Sequence, residues 1–219
     1  MRPAFAATAR TTIKRKPERE SYDEATIEAI LDEGFVAHVG VTVDDEPYVL
    51  PMVYARDGRD VLLHGSVASR LLRRLDDGVA VCVTVTLVDG LVLATAQRNH
   101  SLNYRSVVLL GTARRLRGGD AARALAAVVD HVAPGRAAEA RPPTDAELRD
   151  TLVLAVPVDE ASAKLRSGPP LPGPPDDEGW DCWAGVVPLG VATGAPVAAL
   201  GSEQRPVPGS VTPWRRPSR

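Results

Sequence analysis

Alternating apolar and polar residues predict β-strands along most of the chain. Between Phe35 and Val43 every second residue is apolar, a period of two that is typical of a strand with one buried face. Turn residues at 44–47 and 56–59 separate this strand from strands at 48–54 and 61–64. Further strand-like runs lie at 79–88, 91–96, 104–116, 152–158 and 183–188, with Asp89-Gly90 interpreted as another hairpin turn.

Helical patterns are fewer and shorter. Ser21 to Glu24 fits a capping box that starts a helix, and Gly34 is expected to end it. Shorter helices are predicted at 68–75 and 120–131, and a second capping box at 144–147 starts another. Many antiparallel hairpins with few helices predict a mainly β fold of the α+β type. A closed or half-closed antiparallel β-barrel is expected, because closure removes the exposed edges of a sheet.

The ends of the chain lack this periodicity. Residues 1–12 are small, polar and rich in Arg and Thr, and residues 194–219 are rich in Pro and Gly. Neither segment has enough apolar residues to offset the entropy of ordering, so both are predicted to be disordered. One domain is therefore expected at 13–193, with an extended proline-rich loop at 168–175 inside it.

Composition narrows the function classes. The 219 residues carry 26 Lys and Arg against 28 Asp and Glu, a net charge of −2 that argues against a dedicated nucleic-acid binder. No uncharged apolar run is long enough to span a membrane, and the start of the chain does not fit a signal peptide. The two cysteines form no disulfide or zinc pattern, so the sequence predicts a cytoplasmic protein.

The segment from His64 to Arg70 is the first candidate for chemistry. A strand ends at His64, Gly65 permits a tight turn, and Ser66, Ser69 and Arg70 surround the start of the next helix. Hydroxyl, guanidinium and free backbone N–H groups in one place suit a phosphate. The same residues also fit an ordinary strand-to-helix turn in which Ser66 or Ser69 is the cap and Arg70 faces solvent.

Two further polar clusters are candidates for ligand binding. Asn103, Arg105 and Ser106 lie within or just before a strand, where they would reach a ligand at the rim of a barrel; a polar hairpin with an outward arginine is the alternative. Lys164 and Arg166, with Trp180 and Trp183, are expected on loops that flank the last strand. Cations beside indoles suit a planar anionic ligand, although a core tryptophan and a solvated lysine fit the same pattern.

Together these segments resemble the pyridoxamine 5′-phosphate oxidase-like flavoproteins, in the nitroimidazole-reductase-like subgroup. The resemblance covers residues 13–190, and its segments follow one another in family order. They are 64–66 with 69–70, 89–94, 100–107, 162–166 and 183–189. The resemblance implies an antiparallel split β-barrel, a homodimer, and FMN bound in each of two clefts between the subunits.

The resemblance also suggests roles for individual residues. The strand that contains Pro51, Met52, Val53 and Tyr54 would present its backbone to the isoalloxazine edge, and Ser69 and Arg70 would hold the FMN phosphate. The remaining residues expected at the cofactor are Gly65, Ser66, Asn103, Tyr104, Arg105, Ser106, Lys164, Arg166 and, from the partner subunit, Trp183. His64 is the candidate catalytic residue, a proton donor to a small-molecule substrate, because the unperturbed pKa of histidine is near neutrality. Hydrogen bonding of His64 to a loop carbonyl is the structural alternative.

The sequence departs from the true oxidases at three places. Leu71 follows Arg70 where those enzymes carry a lysine, Ser106 replaces a cofactor-contacting glutamine, and Val186 to Leu189 replaces their substrate-binding Arg-x-His segment. Vitamin B6 oxidation is therefore not expected. The favoured function is FMN-dependent reduction of a nitroaromatic or other small planar acceptor.

Two alternatives remain open from the sequence. One is an oxidoreductase of the same superfamily that uses the deazaflavin F420 in place of FMN. The other is a non-enzymatic flavin- or haem-binding protein, for which His38, His64, His100 and His131 are candidate haem ligands.

Overall fold

The structure is a computed structural model that describes residues 5–171 and 182–211, and it confirms the mainly β architecture. The strands are β1 (Glu20–Ser21), β2 (Val36–Val43), β3 (Glu46–Asp57), β4 (Asp60–Ser66), β5 (Ala80–Leu93), β6 (Ser101–Thr112), β7 (Arg114–Leu116), β8 (Thr151–Pro157), β9 (Glu160–Arg166) and β10 (Gly185–Pro188). The helices are α1 (Glu24–Glu33), α2 (Arg70–Asp76), α3 (Gly118–Val132), α4 (Arg136–Glu139) and α5 (Asp145–Arg149), with short 3-10 turns at 17–19 and 97–99.

The ten strands form one antiparallel sheet that curls around an apolar core. Its strand order is β1-β9-β6-β5-β2-β3-β4-β8-β7, and β10 pairs with β5 beside this path. Inward-facing aliphatic side chains such as Val39, Leu109 and Leu154 are fully buried. Leucines of α2 and isoleucines of α1 join the same core. The barrel interior is therefore filled by side chains, and a ligand must bind on its outer face or at its openings.

One part of the outer face is covered by α3. Ala121, Ala124 and Val128 of this helix pack on Leu62 and on residues of β8 in a second buried cluster. The small alanines allow the helix to lie close to the sheet. The outer face of β2 and the first half of β3 carries no helix of the described chain, and valines there are exposed.

The predicted hairpin at Asp89-Gly90 is wrong. Strand β5 runs through these residues with a register shift between Val88 and Gly90, and the chain reverses only after Leu93. Gly90 is needed for another reason: a Cβ atom there would lie 3.0 Å from the carbonyl oxygen of Val187 in β10. A glycine in a strand marks a close backbone approach or a bulge as often as a turn.

Two other local predictions need correction. The cap of α1 is Asp23, whose carboxylate accepts a hydrogen bond from the Thr26 backbone N–H at 2.8 Å, so Ser21 does not form the predicted capping box. Lys164 and Arg166 lie within strand β9, not on a loop. The second predicted capping box, between Thr144 and Glu147, is confirmed.

The predicted disordered ends make contacts where the structure describes them. Phe5 is buried against the core, and Arg10 forms an ion pair with Glu160 of β9. Residues 194–211 form no helix or strand. The domain boundaries at 13 and 193 stay predictions, and residues 1–4, 212–219 and 172–181, which include Trp180, lie outside the described residues. Within the described chain no helix is long and apolar enough to cross a membrane.

Candidate functional site

A cleft opens where β3 and β4 part. Strand β3 pairs with β4 through Tyr54 to Asp57, whereas its first half, Glu46 to Val53, pairs with β2 on one side. Among the described residues no strand pairs with the other edge of this first half. The end of β4 and the start of α2 follow this gap. Unpaired backbone N–H and C=O groups at a strand edge are ready hydrogen-bonding partners for a ligand.

The four residues predicted on β3 divide between its two faces. Pro51 and Val53 face outward and are exposed, and Met52 faces the core. Tyr54 is fully buried, and its hydroxyl donates a hydrogen bond to the Leu31 carbonyl at 2.5 Å. The side chain of Tyr54 is therefore part of the core, and a role at the cleft is left to the backbone and to the outward residues.

His64 lies on the outer face at the end of β4. It is paired with Val153 of β8, and the register that joins Tyr54 to Leu63 places Val53 on its other side. Its ring is half-buried, and Nδ1 is buried with no hydrogen-bond partner among the described residues. A buried nitrogen without a partner destabilises the fold and is expected to find one in a ligand. The predicted hydrogen bond from His64 to a loop carbonyl is absent from the described residues.

Burial lowers the pKa of the His64 imidazole below its ordinary value of 6.5, because the charged form is poorly solvated there. His64 is therefore neutral at neutral pH. A neutral imidazole accepts a hydrogen bond or binds a metal more readily than it donates a proton. This environment weakens the case for His64 as a general acid at neutral pH.

The turn between β4 and α2 is held by its own serines. Ser66 Oγ accepts a hydrogen bond from the Ala68 backbone N–H at 3.1 Å, and Ser69 caps α2 by accepting from the Leu72 N–H. A Cβ atom on Gly65 would lie 2.7 Å from Leu72 Cδ1, so glycine lets α2 approach the strand. Both serine oxygens accept local hydrogen bonds, which leaves their hydroxyl protons for a ligand.

Arg70 stands at the open side of this turn. Its side chain is exposed, and its guanidinium lies 2.8 Å from the carboxylate of Asp44 in the β2–β3 hairpin. Because both groups are exposed, this ion pair is weak, and a phosphate could replace the carboxylate at little cost.

A second group of predicted residues lies on β6 and β9. Tyr104 is paired with Arg166, and Ser106 with Lys164, on the same outer face. Arg166 is 9% exposed and binds neutral oxygens: Asn103 Oδ1 and the carbonyls of Gly168 and Pro169. No carboxylate of the described residues pairs with it, and burial lowers the pKa of its guanidinium. A buried cation without a counter-charge marks a candidate anion site.

Arg105 forms ion pairs within the chain, and its predicted contact with the cofactor stays a prediction. It is 6% exposed, and its guanidinium binds the carboxylates of Glu33 at the end of α1 and Asp89 in β5. These hydrogen bonds raise the pKa of Arg105 further above its ordinary value. Its guanidinium N–H groups donate to two carboxylates, so Arg105 connects α1 to the sheet.

The two predicted groups are far apart along the sheet. Strands β5, β2 and β3 lie between β6 and β4, which is roughly 19 Å of sheet at the usual strand spacing. The two groups are therefore not neighbours along the hydrogen-bonded order of the sheet. Trp183 is 66% exposed and lies over Gly185 at the start of β10.

Comparison with known families bears on this geometry. The sequence profile of the family described as pyridoxamine 5′-phosphate oxidase matches residues 23–165, which include both halves of the cleft. The chain belongs to this family. No protein of the curated set matches the chain.

Two solved structures resemble this member of the pyridoxamine 5′-phosphate oxidase family over most of its length. The flavocytochrome Anf3 from Azotobacter vinelandii is 36% identical, with a TM-score of 0.87, covering 95% of this chain and 97% of its own. The FAD and heme binding protein from Mycobacterium smegmatis is 36% identical, with a TM-score of 0.83, covering 88% of this chain and 95% of its own.

A third structure is more distant. A protein from Bacteroides thetaiotaomicron, whose name assigns it to 5-nitroimidazole antibiotic resistance, is 25% identical, with a TM-score of 0.54, covering 66% of this chain and 85% of its own. The predicted family is thus confirmed, whereas FMN, the homodimer and the individual site residues stay predictions.

Sequence reasoning missed several charged residues. Arg73 and Arg74 follow Arg70 on α2, and Arg115 of β7 faces them across a cleft. The only sequence signal for this cleft was the arginine-rich short helix at 68–75. Such a helix indicates a charged surface, but it does not indicate which strand packs beside it. Glu33 was also missed, since the end of a helix gives no sign that a strand residue 72 positions away will bind it.

Proposed function

We propose that this protein is a flavin-dependent oxidoreductase that reduces a small planar acceptor, such as a nitroaromatic compound. The observation that carries the proposal is the edge of β3 beside the segment from His64 to Arg70, with which no strand of the described residues pairs. A strand edge offers backbone donors and acceptors to the rim of a flat heterocycle, and the arginine offers charge to its phosphate. Membership of the family supports the same cofactor class.

The chain supplies binding and orientation. A flavin held by the residues of this cleft would supply hydride or single-electron transfer. The backbone of Leu50 to Val53 holds the ring edge, Arg70 binds the phosphate, and His64 accepts a hydrogen bond beside the ring. Pro51 and Val53 exclude water from one side of the cleft.

A second copy of the chain completes the cleft in this proposal. The outward residues of β2 and β3 include Val36, Val49 and Val53, all exposed, on a part of the sheet that no helix of the described residues covers. A homodimer through this face would bury the valines and bring the β6–β9 residues of one subunit towards the His64 segment of the other. Arg166, a buried cation with no carboxylate partner among the described residues, would then face the ligand.

A flavocytochrome that binds haem as well as flavin is the second candidate. It is favoured by the two structures at 36% identity, whose names include flavin and haem, and by the free buried Nδ1 of His64. A neutral imidazole with a nitrogen that has no partner among the described residues would suit a ligand to haem iron. His100 and His131 are alternative ligands. One ring nitrogen of His100 lies 3.2 Å from a backbone carbonyl oxygen, and one of His131 lies 2.6 Å from another. Each contact orients the ring and leaves the other nitrogen for a metal.

The absorption spectrum of the purified protein tests both candidates. The spectrum is compared with the spectra of free FMN, FAD, F420 and haem. Flavin bands support the first candidate, and an additional Soret band that His64→Gln abolishes supports the second. A protein that binds added F420 but no flavin would contradict both.

A further inference from the structure

A second cleft lies on the other side of α2 from the β3 edge. Its volume is about 500 Å³, and its walls are α2, the loop at Val67, and strands β7 and β8. Four arginines line it against two aspartates, which gives the lining a net positive charge. The arginines are Arg70, Arg73, Arg74 and Arg115, and the aspartates are Asp76 and Asp77.

The arginines of this cleft are incompletely paired. Arg115 has Asp76 at 2.8 Å, and Arg70 has Asp44 at 2.8 Å. Arg74 has Asp77 at the long distance of 3.7 Å, and its buried Nε has no hydrogen-bond partner among the described residues. No carboxylate of the described chain pairs with Arg73. Spare guanidinium N–H groups beside each other are the usual means of binding phosphate.

The size and lining of the cleft indicate more than one phosphate group. A water molecule occupies about 30 Å³ of liquid, so a five-atom phosphate would fill only a small part of the available volume. Val67 adds an apolar surface, whereas Leu152 is only 2% exposed. An aromatic base packs well between an aliphatic surface and the plane of a guanidinium.

We propose that this arginine cleft binds the adenosine diphosphate group of a dinucleotide. Arg73 and Arg74 hold the phosphate next to the adenosine, Arg70 holds the phosphate next to the riboflavin, and the adenine lies against Val67. The proposal rests on the proposed flavin function, because Arg70 lines this cleft and also borders the β3 edge where the flavin is placed. A flavin whose phosphate reaches Arg70 would extend directly into the cleft, which makes FAD the favoured source of the group.

Binding measurements on the full chain test the proposal. Riboflavin, FMN, FAD, ADP and NADPH are each titrated into apoprotein by fluorescence or calorimetry, with Arg73→Ala and Arg115→Ala as variants. We expect FAD to bind at least tenfold more tightly than FMN, and Arg73→Ala to remove most of that difference while FMN affinity stays within twofold. Because Arg115 is paired with Asp76, its variant carries a risk to folding that the exposed Arg73 does not.

Arg123→Ala is the matched control, since it removes an exposed arginine from a helix on another part of the surface. FAD and FMN could bind with equal affinity while Arg73→Ala weakens the binding of ADP and of NADPH. That result would mean that the cleft recognises the adenosine diphosphate group of a nicotinamide nucleotide. If neither FAD preference nor ADP binding responds to Arg73→Ala, the proposal is wrong although flavin binding stands. If no flavin binds at all, the proposed function itself fails and takes this inference with it.

Discussion

Burial determines what His64 is able to do. Its position at the end of β4 follows from the sequence, but its protonation state follows from the residues around it. Burial of the ring beside β8 lowers its pKa, and Nδ1 has no partner among the described residues. The same imidazole would be an ordinary titrating group if the strand end were exposed.

The pH dependence of stability should reveal this environment. The folded-state pKa of His64 lies below the unfolded value of 6.5, so the unfolded chain binds more protons between the two values, and stability falls as the pH falls through that window. His64→Gln removes this contribution. We expect the free energy of unfolding in urea to drop less between pH 7.5 and 5.5 in His64→Gln than in the unaltered protein.

His100→Gln removes an exposed imidazole and separates this effect from the loss of any histidine. Equal drops in the unaltered protein and in His64→Gln would show that the burial of His64 has no energetic consequence.

Arg70 is the residue on which phosphate binding is predicted to depend. Arg70→Ala should weaken FMN binding about tenfold or more, because a charge-assisted hydrogen bond contributes roughly 1.5–3 kcal/mol. Riboflavin, which has no phosphate, should bind the variant as it binds the unaltered protein. The two affinities are measured by flavin fluorescence quenching, with Arg123→Ala as control. Equal losses for both ligands would place the phosphate elsewhere.

At the scale of elements, the buried ion cluster joins parts of the chain that are far apart in sequence. Arg105 of β6 reaches Glu33 at the end of α1 and Asp89 at the irregular position of β5. The cluster therefore fixes α1 against the sheet where β5 changes register. It explains why Asp89 is not a turn residue: its carboxylate has a partner across the sheet.

Removing the cation should be costly. Arg105→Met removes the guanidinium that lies between the carboxylates of Glu33 and Asp89. Breaking a buried ion pair in this way lowers the free energy of unfolding by about 3–5 kcal/mol. We expect a loss of that order in the free energy of unfolding, measured with urea. Arg123→Ala breaks an exposed pair with Asp120 and should change stability by less than about 0.5 kcal/mol. A loss as small as the control's would mean that the cluster adds little to stability.

At the scale of the whole molecule, the outer face of β2 and β3 is where we expect a second subunit to bind. Val53 is 42% exposed there, beside the predicted cleft. Val53→Glu places a charge on this face, so we expect it to convert a dimer to a monomer and to weaken flavin binding. Light scattering measures the first effect and fluorescence the second.

Val197→Glu is the control for this variant, since Val197 is 94% exposed and lies in the irregular segment after β10. A monomeric unaltered protein with a full complement of flavin would contradict the two-subunit cleft.

The sequence by itself determined most of the strands, most helix positions and the family. Period-two alternation located β2 to β4 because each strand buries one face, and the segment from His64 to Arg70 carried the family resemblance through its local order. The sequence did not reveal that β5 continues through Asp89-Gly90, that Lys164 and Arg166 lie on a strand, or that Arg105 is bound by Glu33. Those features depend on contacts between residues far apart in the chain, and local patterns do not encode which elements will meet. The tertiary structure likewise decided that Tyr54 faces the core, that His64 is neutral, and that arginines from α2 and β7 line one cleft, because burial and charge arise from packing.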